Sequence, residues 1–332
     1  MSPIGLALVV IAAAALSAAM IVAMLPWLNR HALVQPNARS SHRRSTPQGG
    51  GAAVIAATLV VALATTAFGP YQLLTLLPVF AATLLIAAVG AVDDLRTIAV
   101  LPRLALQALA VILVMVSLPE TQIVPVLPWW FERAVLLLAC LWFVNLTNFM
   151  DGIDWMTVAE FVPMSAGLVA LGMLGVLPPH GATVALALGG SLIGFAFFNR
   201  PVARIFLGDV GSLPIGLLFA WLLALVASNG YLAAAVLLPL YYLADATLTL
   251  LRRIRNGEPF WQAHRTHFYQ RATDRGWRVI GVVGAVFAVN IVLVGLAVVT
   301  ALWPDRSIAA VSVALGAASV GWLLWAFSRG RS

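Results

Sequence analysis

Long apolar segments constrain the fold of this chain more than any other feature. Eleven segments of roughly 20 residues, the length that crosses a bilayer as a helix, are separated by short polar connections. They cover residues 4–27, 50–69, 72–92, 104–118, 131–147, 156–176, 181–198, 212–228, 231–251, 279–302 and 308–327. Only 9% of the residues are charged, against about 25% in soluble domains. We therefore predict an all-α, polytopic integral membrane protein of about eleven transmembrane helices, forming a single domain over residues 1–332.

Positive charge is concentrated on one side of this predicted topology. All 19 basic residues are arginine, and 17 lie in connections that alternation places on the side of the C-terminus, with Arg133 and Arg306 on the other. By the positive-inside rule, we predict a cytoplasmic C-terminus and a periplasmic N-terminus. The net charge of +7 then reflects topology, and we expect no nucleic-acid partner. Cys140 is the single cysteine, which excludes a disulfide framework.

A polar stretch follows the fifth apolar segment on the predicted cytoplasmic side. Asn145, Asn148, Asp151 and Asp154 recur there at a spacing of three. Neighbours three apart share a helix face, and Gly152 allows the backbone to turn. Two carboxylates and two carboxamides suit a cation, or a phosphate held through a cation. The alternative is a hydrated helix end with Asn and Asp as turn formers.

Three other cytoplasmic connections carry polar groups beside helix ends. Asp93 and Asp94 would point about 100° apart on a helix, which predicts different roles, one on a metal and one orienting a neighbour. Asp209 follows Gly208 before a helix, where the backbone can approach a ligand or form an ordinary turn and cap. Connection 36–51 combines arginines, hydroxyls and a glycine run, which suits an anion cradle or a topogenic loop with a flexible hinge.

The longest cytoplasmic connection, 252–278, contains His264, Arg265 and His267. No cysteine or acid lies nearby at zinc-ligand spacing. We therefore favour contact of these side chains with a diphosphate or a sugar over a zinc site.

Two acids, Glu160 and Asp245, lie within apolar segments, where ionisable residues usually have a function. Asp245 precedes Arg252 by two helical turns, so pairing with Arg252 is the alternative. Intramembrane acids and glycine-interrupted helices also occur in secondary transporters, the main alternative function. Transporter sites lie near the midplane, whereas the polar motifs of this chain gather at the cytoplasmic helix ends.

Taken together, four motifs resemble the polyprenyl-phosphate N-acetylhexosamine-1-phosphate transferase superfamily, glycosyltransferase family 4. They are Thr46-Pro47 with Gly49-Gly50, Asp93-Asp94 with Arg103, Asn148-Phe149-Met150-Asp151-Gly152-Ile153-Asp154, and Phe206-Leu207-Gly208-Asp209-Val210-Gly211-Ser212. The resemblance covers residues from about Pro36 to Arg278. The number of spans is more similar to the branch that initiates O-antigen than to the peptidoglycan translocase.

Together with the patterns above, the resemblance implies the site residues, cofactor and partners. The implied catalytic residues are Asp93, Asp94, Asp151 and Asp154; the metal ligands are Asp209 and Asp94; and the substrate-binding residues are Arg43, Arg103, Asn148, Asn199, His264, Arg265 and His267. The implied cofactor is Mg²⁺, with Mn²⁺ as an alternative. The implied substrates are a UDP-N-acetyl sugar and undecaprenyl phosphate, and the implied location is the bacterial inner membrane. A homodimer is compatible with the resemblance.

The sequence departs from the family pattern at two places. Trp155 stands where the family usually has glycine after Asp-Gly-x-Asp, which bears on the local backbone or the sugar pocket. His264-Arg265-Thr266-His267 lacks the three consecutive histidines of the peptidoglycan enzyme and resembles O-antigen initiators that use other N-acetylated deoxyhexoses. The implied reaction is attack of the lipid phosphate on the β-phosphorus of a UDP-sugar, with release of UMP. A phosphomonoester with a second pKa of about 6 hardly needs a strong base, so Asp93 or Asp94 is only an optional base.

Overall fold

The computed structural model describes residues 2–34, 45–66, 70–258 and 264–329. Within these ranges the chain forms helices and two very short strands. The helices are α1 (Pro3–His31), α2 (Gly50–Thr66), α3 (Pro70–Leu95), α4 (Val100–Met115), α5 (Trp129–Met150), α6 (Met156–Met173), α7 (Pro179–Ala196), α8 (Asp209–Ser228), α9 (Leu232–Leu237), α10 (Leu240–Arg255), α11 (Phe268–Asp274), α12 (Val279–Leu302) and α13 (Arg306–Arg329). Strands β1 (Leu33–Val34) and β2 (Thr46–Pro47) pair antiparallel, with Leu33 opposite Pro47.

The predicted all-α, multi-pass class is confirmed. Ten of the eleven apolar segments correspond to one helix each, and the ninth, 231–251, is divided into α9 and α10. The division falls at Leu238 and Pro239, which cap the two helices. Proline lacks a backbone N–H, and its ring obstructs the preceding helical turn, so a continuous helix is interrupted there.

Helix lengths differ from the prediction of eleven full spans. In the described ranges, eight helices are long and apolar enough to cross a membrane. Helices α2 and α4 are apolar but contain 17 and 16 residues. At about 1.5 Å per residue they measure about 25 Å, less than the roughly 30 Å of a bilayer's hydrocarbon core. Whether α2 and α4 cross the bilayer completely, and with it the predicted number of about eleven spans, stays a prediction.

The connections separate into two ends of the bundle. At the first, called the inner end, the described connections lie together, namely residues 32–34 and 45–49, 96–99, 151–155, 197–208, and 256–258 with 264–267; for example, Gly50 N–H donates to the Phe206 carbonyl at 2.9 Å. At the opposite, outer end, Thr121 Oγ1 donates to the Ser228 carbonyl at 3.1 Å and Asn229 Nδ2 to the Val176 carbonyl at 2.9 Å. This grouping matches the predicted alternation, while the side of the membrane that each end faces stays a prediction.

Helix α8 is the centre of the bundle. Every residue from Val210 to Ser228 is buried and only Asp209 at its start is partly exposed, whereas only 22% of the apolar window of α1 and 28% of that of α13 are covered by protein. Glycines allow neighbouring helices to approach it closely: a Cβ on Gly51 of α2 would lie 2.2 Å from the Gly211 Cα, and one on Gly90 of α3 would lie 2.3 Å from the Asp209 carbonyl oxygen. These approaches hold the ends of α2 and α3 against the first turn of α8, where the candidate site lies.

Candidate functional site

Asp94, near the end of α3, caps the first turn of α8. Its Oδ1 accepts from the Asp209 N–H at 2.9 Å and its Oδ2 from the Val210 N–H at 3.1 Å. Gln48 Nε2 donates to the same Oδ1. The first amides of a helix have no partner within the helix, and a carboxylate there also interacts favourably with the helix dipole. Asp94 therefore fixes α3 to α8, and both of its oxygens are already hydrogen-bonded.

Its neighbour Asp93 makes different contacts, in line with the prediction that the adjacent pair has different roles. Asp93 accepts from the Ile98 N–H at 2.6 Å and from Arg103 Nη1 at 2.7 Å. The carboxylates of Asp93 and Asp209 lie close enough to influence each other electrostatically. Arg103 is thus the counterion of Asp93, and the pair brings the start of α4 against the end of α3.

The side chain of Asp209 is held from a third helix. Asn148, in the last turn of α5, donates through Nδ2 to Asp209 Oδ1 at 2.7 Å and to Ser212 Oγ at 2.9 Å. The ends of α3 and α5 therefore both contact the first turn of α8. Ser212, the last residue of the predicted motif and three positions after Asp209, extends this network.

The facing carboxylates of Asp93 and Asp209 suit a magnesium ion. Mg²⁺ commonly binds through one or two protein carboxylates and completes its shell with water and substrate phosphate. In the described part of the chain, no group of three or more His, Cys, Asp or Glu side chains is arranged to hold a metal. Both oxygens of Asp94 and both oxygens of Asp93 accept hydrogen bonds from protein groups, so these contacts do not decide which of the two would share an ion with Asp209.

Asp151, directly after α5, is the acid whose pKa is most informative. The pKa of Asp151 is raised to about 6, mainly by burial and also by the negative charges of Asp154 and Asp94, while a hydrogen bond from the Thr157 hydroxyl opposes this rise. Thr157 donates to Asp151 Oδ1. The residue is mostly ionised at neutral pH and gains its proton in mildly acidic conditions.

Asp154 and Asn199 bind backbone groups of the connection between α7 and α8. Asp154 Oδ2 accepts from the Ala203 N–H at 3.0 Å. Asn199 donates to the Ile205 carbonyl at 2.9 Å and accepts from the Trp155 N–H at 2.8 Å. Both side chains are largely buried. The contacts make them ties between connections 151–155 and 197–208; their predicted catalytic and substrate-binding roles stay predictions.

The predicted histidine site is organised by the buried Asp245 of α10. Asp245 accepts from the N–H groups of Phe268 at 2.9 Å and Tyr269 at 3.1 Å, and it contacts His267 Nδ1 at 3.3 Å. Among the described contacts Asp245 does not pair with Arg252, so this alternative prediction is wrong. Arg252 instead donates to the Thr266 carbonyl at 2.6 Å, because the uncapped amides of α11 lie closer to Asp245.

His264 and Arg265 are placed at the rim of this region. Burial lowers the pKa of His264 to about 4, with a further contribution from His267, so His264 is neutral at pH 7. Its ring lies 4.8 Å from that of His267. Arg265 pairs with Asp274 at 2.9 Å, and both side chains are partly exposed. The neutral His264 can therefore form hydrogen bonds with a ligand, whereas Arg265 carries a positive charge.

The glycine run at the start of α2 is not an anion cradle. The N–H groups of Gly50 and Gly51 donate to the Phe206 and Leu207 carbonyls at 2.9 and 2.8 Å. These amides join two connections and are not available to a ligand. Arg43, the other predicted anion contact of this region, lies outside the described residues.

The remaining intramembrane acid, Glu160, also contacts protein groups. Asn290 of α12 donates to Glu160 Oε2 at 2.7 Å, and Glu160 is fully buried. Together with the contacts of Asp245, this removes the main support for a transporter, which needs acids facing a water-filled site near the midplane.

Sequence reasoning missed two residues that contact the acids, Gln48 and Thr157. Gln48 follows Thr46-Pro47 in the first motif, and Thr157 lies in the first turn of α6, six residues after Asp151. The one sequence feature that could have indicated them is that both are polar residues next to motif residues. No spacing rule connects Gln48 with Asp94, 46 residues away, because this contact depends on the packing of α2, α3 and α8.

Comparison with known proteins agrees with the resemblance of the motifs. Residues 76–227, which include Asp93, Asp94, Asp151, Asp154 and Asp209, match the family described as Glycosyl transferase family 4. The chain is 26% identical over 286 residues to a probable undecaprenyl-phosphate N-acetylglucosaminyl 1-phosphate transferase of Bacillus subtilis (strain 168), covering 79% of this chain and 77% of that protein.

Two further relatives match over shorter regions. A phospho-N-acetylmuramoyl-pentapeptide-transferase of Leuconostoc citreum (strain KM20) is 31% identical over 162 residues, 42% of this chain and 49% of that protein. A decaprenyl-phosphate N-acetylglucosaminephosphotransferase of Mycobacterium tuberculosis (strain CDC 1551 / Oshkosh) is 30% identical over 156 residues, 40% and 38% of the two chains. The chain thus spans about three quarters of the first relative and half or less of the other two. The family match and these relatives are consistent with glycosyltransferase family 4 and with the polyprenyl-phosphate N-acetylhexosamine-1-phosphate transferases that the motifs resemble.

Proposed function

We propose that the protein transfers an N-acetylated sugar 1-phosphate from a UDP-sugar to undecaprenyl phosphate, releases UMP and starts a lipid-linked surface polysaccharide of the O-antigen type. One observation carries the proposal: the facing carboxylates of Asp93 and Asp209 at one end of a membrane bundle. A lipid-borne phosphate reaches the bundle from the membrane and a nucleotide-sugar reaches it from water, so the end of the helices is where both can meet. The first relative carries out the corresponding transfer of N-acetylglucosaminyl 1-phosphate.

The reaction joins two anions, so the site must reduce the repulsion between them and align them. An oxygen of the lipid phosphate forms a bond to the β-phosphorus of the nucleotide-sugar, and the bond from that phosphorus to the bridging oxygen of UMP breaks. UMP leaves with the electron pair of this bond. The lipid phosphate is largely dianionic at neutral pH because its second pKa is about 6. Charge neutralisation and alignment are therefore more important here than removal of a proton.

We assign Mg²⁺ to Asp209 and Asp93, where it would neutralise charge on the diphosphate. Asn148 fixes the rotamer of Asp209, and Arg103 balances the charge of Asp93. Asp94 positions Asp209 by binding the first amides of α8. The sequence-based choice of Asp94 as the second ligand stays the alternative, and the Mg²⁺ titration of Asp94→Asn distinguishes the two.

The remaining predicted residues have roles around this centre. Asp151, with a pKa of about 6, is mostly ionised under the working conditions and lies beside the acids that hold the metal. His264 and Arg265, on the segment held by Asp245, are the proposed contacts of the nucleotide-sugar. His267 positions that segment, because its ring is buried and contacts Asp245.

Purified protein with undecaprenyl phosphate, Mg²⁺ and a panel of UDP-N-acetyl sugars tests the proposal. We expect release of UMP with at least one donor, equal amounts of lipid-linked sugar, and loss of both products when the lipid is omitted. Lipid-independent release would indicate a hydrolase. Release of no UMP with any donor would contradict the proposal.

The orientation is also part of the proposal, with the inner end facing the cytoplasm. The basis is the predicted topology, in which the outer side of the sequence has two of the 19 arginines. A phosphatase that is active only in the periplasm should be inactive when fused after Ser332. Strong phosphatase activity of this fusion would reverse the orientation.

A further inference from the structure

Trp155 has an unusual backbone conformation at the centre of the longest motif. Among the described residues it is the only residue other than glycine with a positive φ, 64°, with ψ at 3°. This left-handed conformation brings Cβ close to the following carbonyl oxygen and is disfavoured for every residue with a side chain. A bulky residue remains in such a conformation only where its surroundings hold it there.

Two hydrogen bonds hold Trp155, and both lead to the same neighbouring segment. Its backbone N–H donates to Asn199 Oδ1 at 2.8 Å, and its indole Nε1–H donates to the Ala196 carbonyl at 2.7 Å. Ala196 is the last residue of α7, and the last four carbonyls of a helix have no partner within it. The indole therefore uses a carbonyl that the helix leaves free.

The segment that Trp155 contacts continues to the candidate metal ligand. Connection 197–208 leads from α7 to Asp209, and Asp154 holds its middle through the Ala203 N–H at 3.0 Å. Asn199 holds it further along, through the Ile205 carbonyl at 2.9 Å. Connection 151–155, which includes Asp151, is thus joined at several points to the segment that begins α8.

We propose that Trp155 is a positioning residue for the transfer reaction, whose indole fixes connection 151–155 relative to connection 197–208 and so sets the distance between Asp151 and Asp209. Glycine at this position would adopt the same φ without strain and keep the backbone bond to Asn199, but it would lose the bond to Ala196. The inference rests on the proposed function, because the residues that Trp155 positions are those assigned to the reaction.

Two substitutions separate positioning from packing. Trp155→Phe keeps an aromatic ring and removes the indole N–H. Trp155→Gly removes the ring and the strain together, so its thermal stability should equal or exceed that of Trp155→Phe. Trp322→Phe on α13 is the matched control, because Trp322 is 64% exposed on the lipid-facing surface.

Hydrogen–deuterium exchange of the full protein in nanodiscs is the first measurement, and it does not depend on activity. Loss of the indole bond to Ala196 should loosen both connections although the backbone bond to Asn199 is kept. In both Trp155 variants we therefore expect the amides at positions 155 and 203 to exchange about threefold to tenfold faster than their intrinsic rates predict from the parent protection, the factor implied by the net contribution of one hydrogen bond. Exchange in α12, and exchange throughout Trp322→Phe, should be unchanged. Unchanged exchange of Trp155 and Ala203 in both variants would overturn the proposed tie.

Steady-state kinetics is the second measurement. Misplacement of reacting groups by about 1 Å can reduce rates by about 100-fold, so we expect kcat to fall by about tenfold or more in both variants. The KM for undecaprenyl phosphate should stay within about twofold of the parent value. A Trp155→Gly enzyme with the parent kcat would overturn the positioning role, since a purely structural residue would be replaced by glycine without loss. If the parent enzyme transfers no sugar phosphate, the proposed function fails, while the exchange measurement still decides the tie.

Discussion

The inner and outer ends of the bundle use polar side chains in different ways. At the outer end, Arg133 donates to the carbonyls of Pro119 and Thr121 at 3.1 and 3.2 Å, and Glu132 accepts from the Val124 N–H at 2.7 Å. These bonds connect residues 8 to 14 positions apart and close one turn. At the inner end, Asp94 and the first amide of α8 are 115 positions apart. The charged side chains Glu132 and Arg133 of the outer end therefore complete a local turn, whereas neutral outer groups such as Thr121 and the inner carboxylate Asp94 join distant segments.

The two ends also differ in charge. Asp93, Asp94, Asp151, Asp154 and Asp209 lie close enough at the inner end for their charges to interact. Like charges in a partly buried site repel and destabilise the fold. Helix-end amides and Arg103 offset part of this repulsion. A destabilising concentration of carboxylates at one end of a membrane bundle is typical of a reaction site, because such residues are retained for chemistry.

The largest expected difference between the ends concerns Asp209. Asp209→Asn keeps the shape of the side chain and removes its charge, so folding should survive. Changes in groups that merely support a metal ligand cost about 10–100-fold, and loss of the ligand's own charge should reduce turnover by at least about 100-fold. UMP release at limiting Mg²⁺ measures the effect. Asp305→Asn at the outer end is the control and should retain nearly full activity; a similar loss there would remove the contrast.

A smaller effect is expected for the capping carboxylate. Asp94→Asn keeps one acceptor for the amides of Asp209 and Val210 but weakens the interaction with the helix dipole. Because Asp94 acts through the position of Asp209, we expect activity to fall by about 10–100-fold and added Mg²⁺ to restore part of it. Titration of the two variants with Mg²⁺ compares them. If Asp94→Asn were as inactive as Asp209→Asn at every Mg²⁺ concentration, Asp94 would be a direct ligand.

Packing provides the third comparison. Gly51→Ala at the inner end would place a Cβ 2.2 Å from the Gly211 Cα, whereas Gly295 in the outer half of α12 has open space around it. Overpacking typically costs about 1–3 kcal/mol, so Gly51→Ala should unfold at a lower temperature. Gly295→Ala should be neutral or slightly stabilising because alanine favours the helix. Thermal unfolding in one detergent compares both variants; equal unfolding temperatures would argue against the close approach of α2 and α8.

The smallest effect is a shift in pH dependence. The pKa of Asp151 is raised to about 6, so activity that needs its ionised form should decline below about that pH. Thr157→Val removes a donor to the carboxylate, which destabilises the ionised form and raises the pKa. One hydrogen bond to a charged group contributes about 1.5–3 kcal/mol, and one pKa unit corresponds to about 1.4 kcal/mol. The acidic limb of the kcat/KM profile should therefore move up by about one pH unit.

The control and the stability effect of this change follow from the same reasoning. Thr300→Val removes a hydroxyl that donates to the Ala297 carbonyl near the outer end, and it should leave the profile unmoved. In the parent protein the folded state binds the Asp151 proton more tightly than the unfolded state, whose pKa is near 3.8. Stability from this group is therefore fully present below that value and is lost as the pH rises through about 6. A profile unchanged in Thr157→Val would exclude Asp151 as the titrating group.

The fold could be predicted well because it depends on local composition. Runs of about 20 apolar residues predict helices wherever they occur, and the distribution of arginine grouped the connections correctly. The break in the ninth segment could not be predicted from Pro239 alone, since Pro26, Pro78, Pro163 and Pro214 lie inside continuous helices. The shorter spans α2 and α4 could not be predicted either, because lipid-facing and protein-facing apolar residues look alike in a sequence.

The sequence predicted which residues form the candidate site better than it predicted their contacts. Motifs identified Asp93, Asp94 and Asp209, but the direction of each carboxylate depends on how three helices meet. Asp94 points to the amides of α8, and no spacing within the sequence indicates it. The contacts of Asp245 could not be predicted from spacing either, because its carboxylate binds the first amides of α11 and not Arg252, two turns further along its own helix.

The complete burial of α8 has a consequence for how the protein is made. This helix has a mean hydropathy of 2.2, yet in the finished molecule its sides contact protein. Its apolar character is therefore needed during synthesis, when the segment enters the bilayer before all of its neighbours are present. Helices α9 to α13 are synthesised later, and α9 packs against α8. The newly inserted helix, which already contains Asp209, is therefore in contact with lipid until its last neighbour has been inserted. An added charge in its middle would block insertion, although no lipid contacts that position in the mature protein.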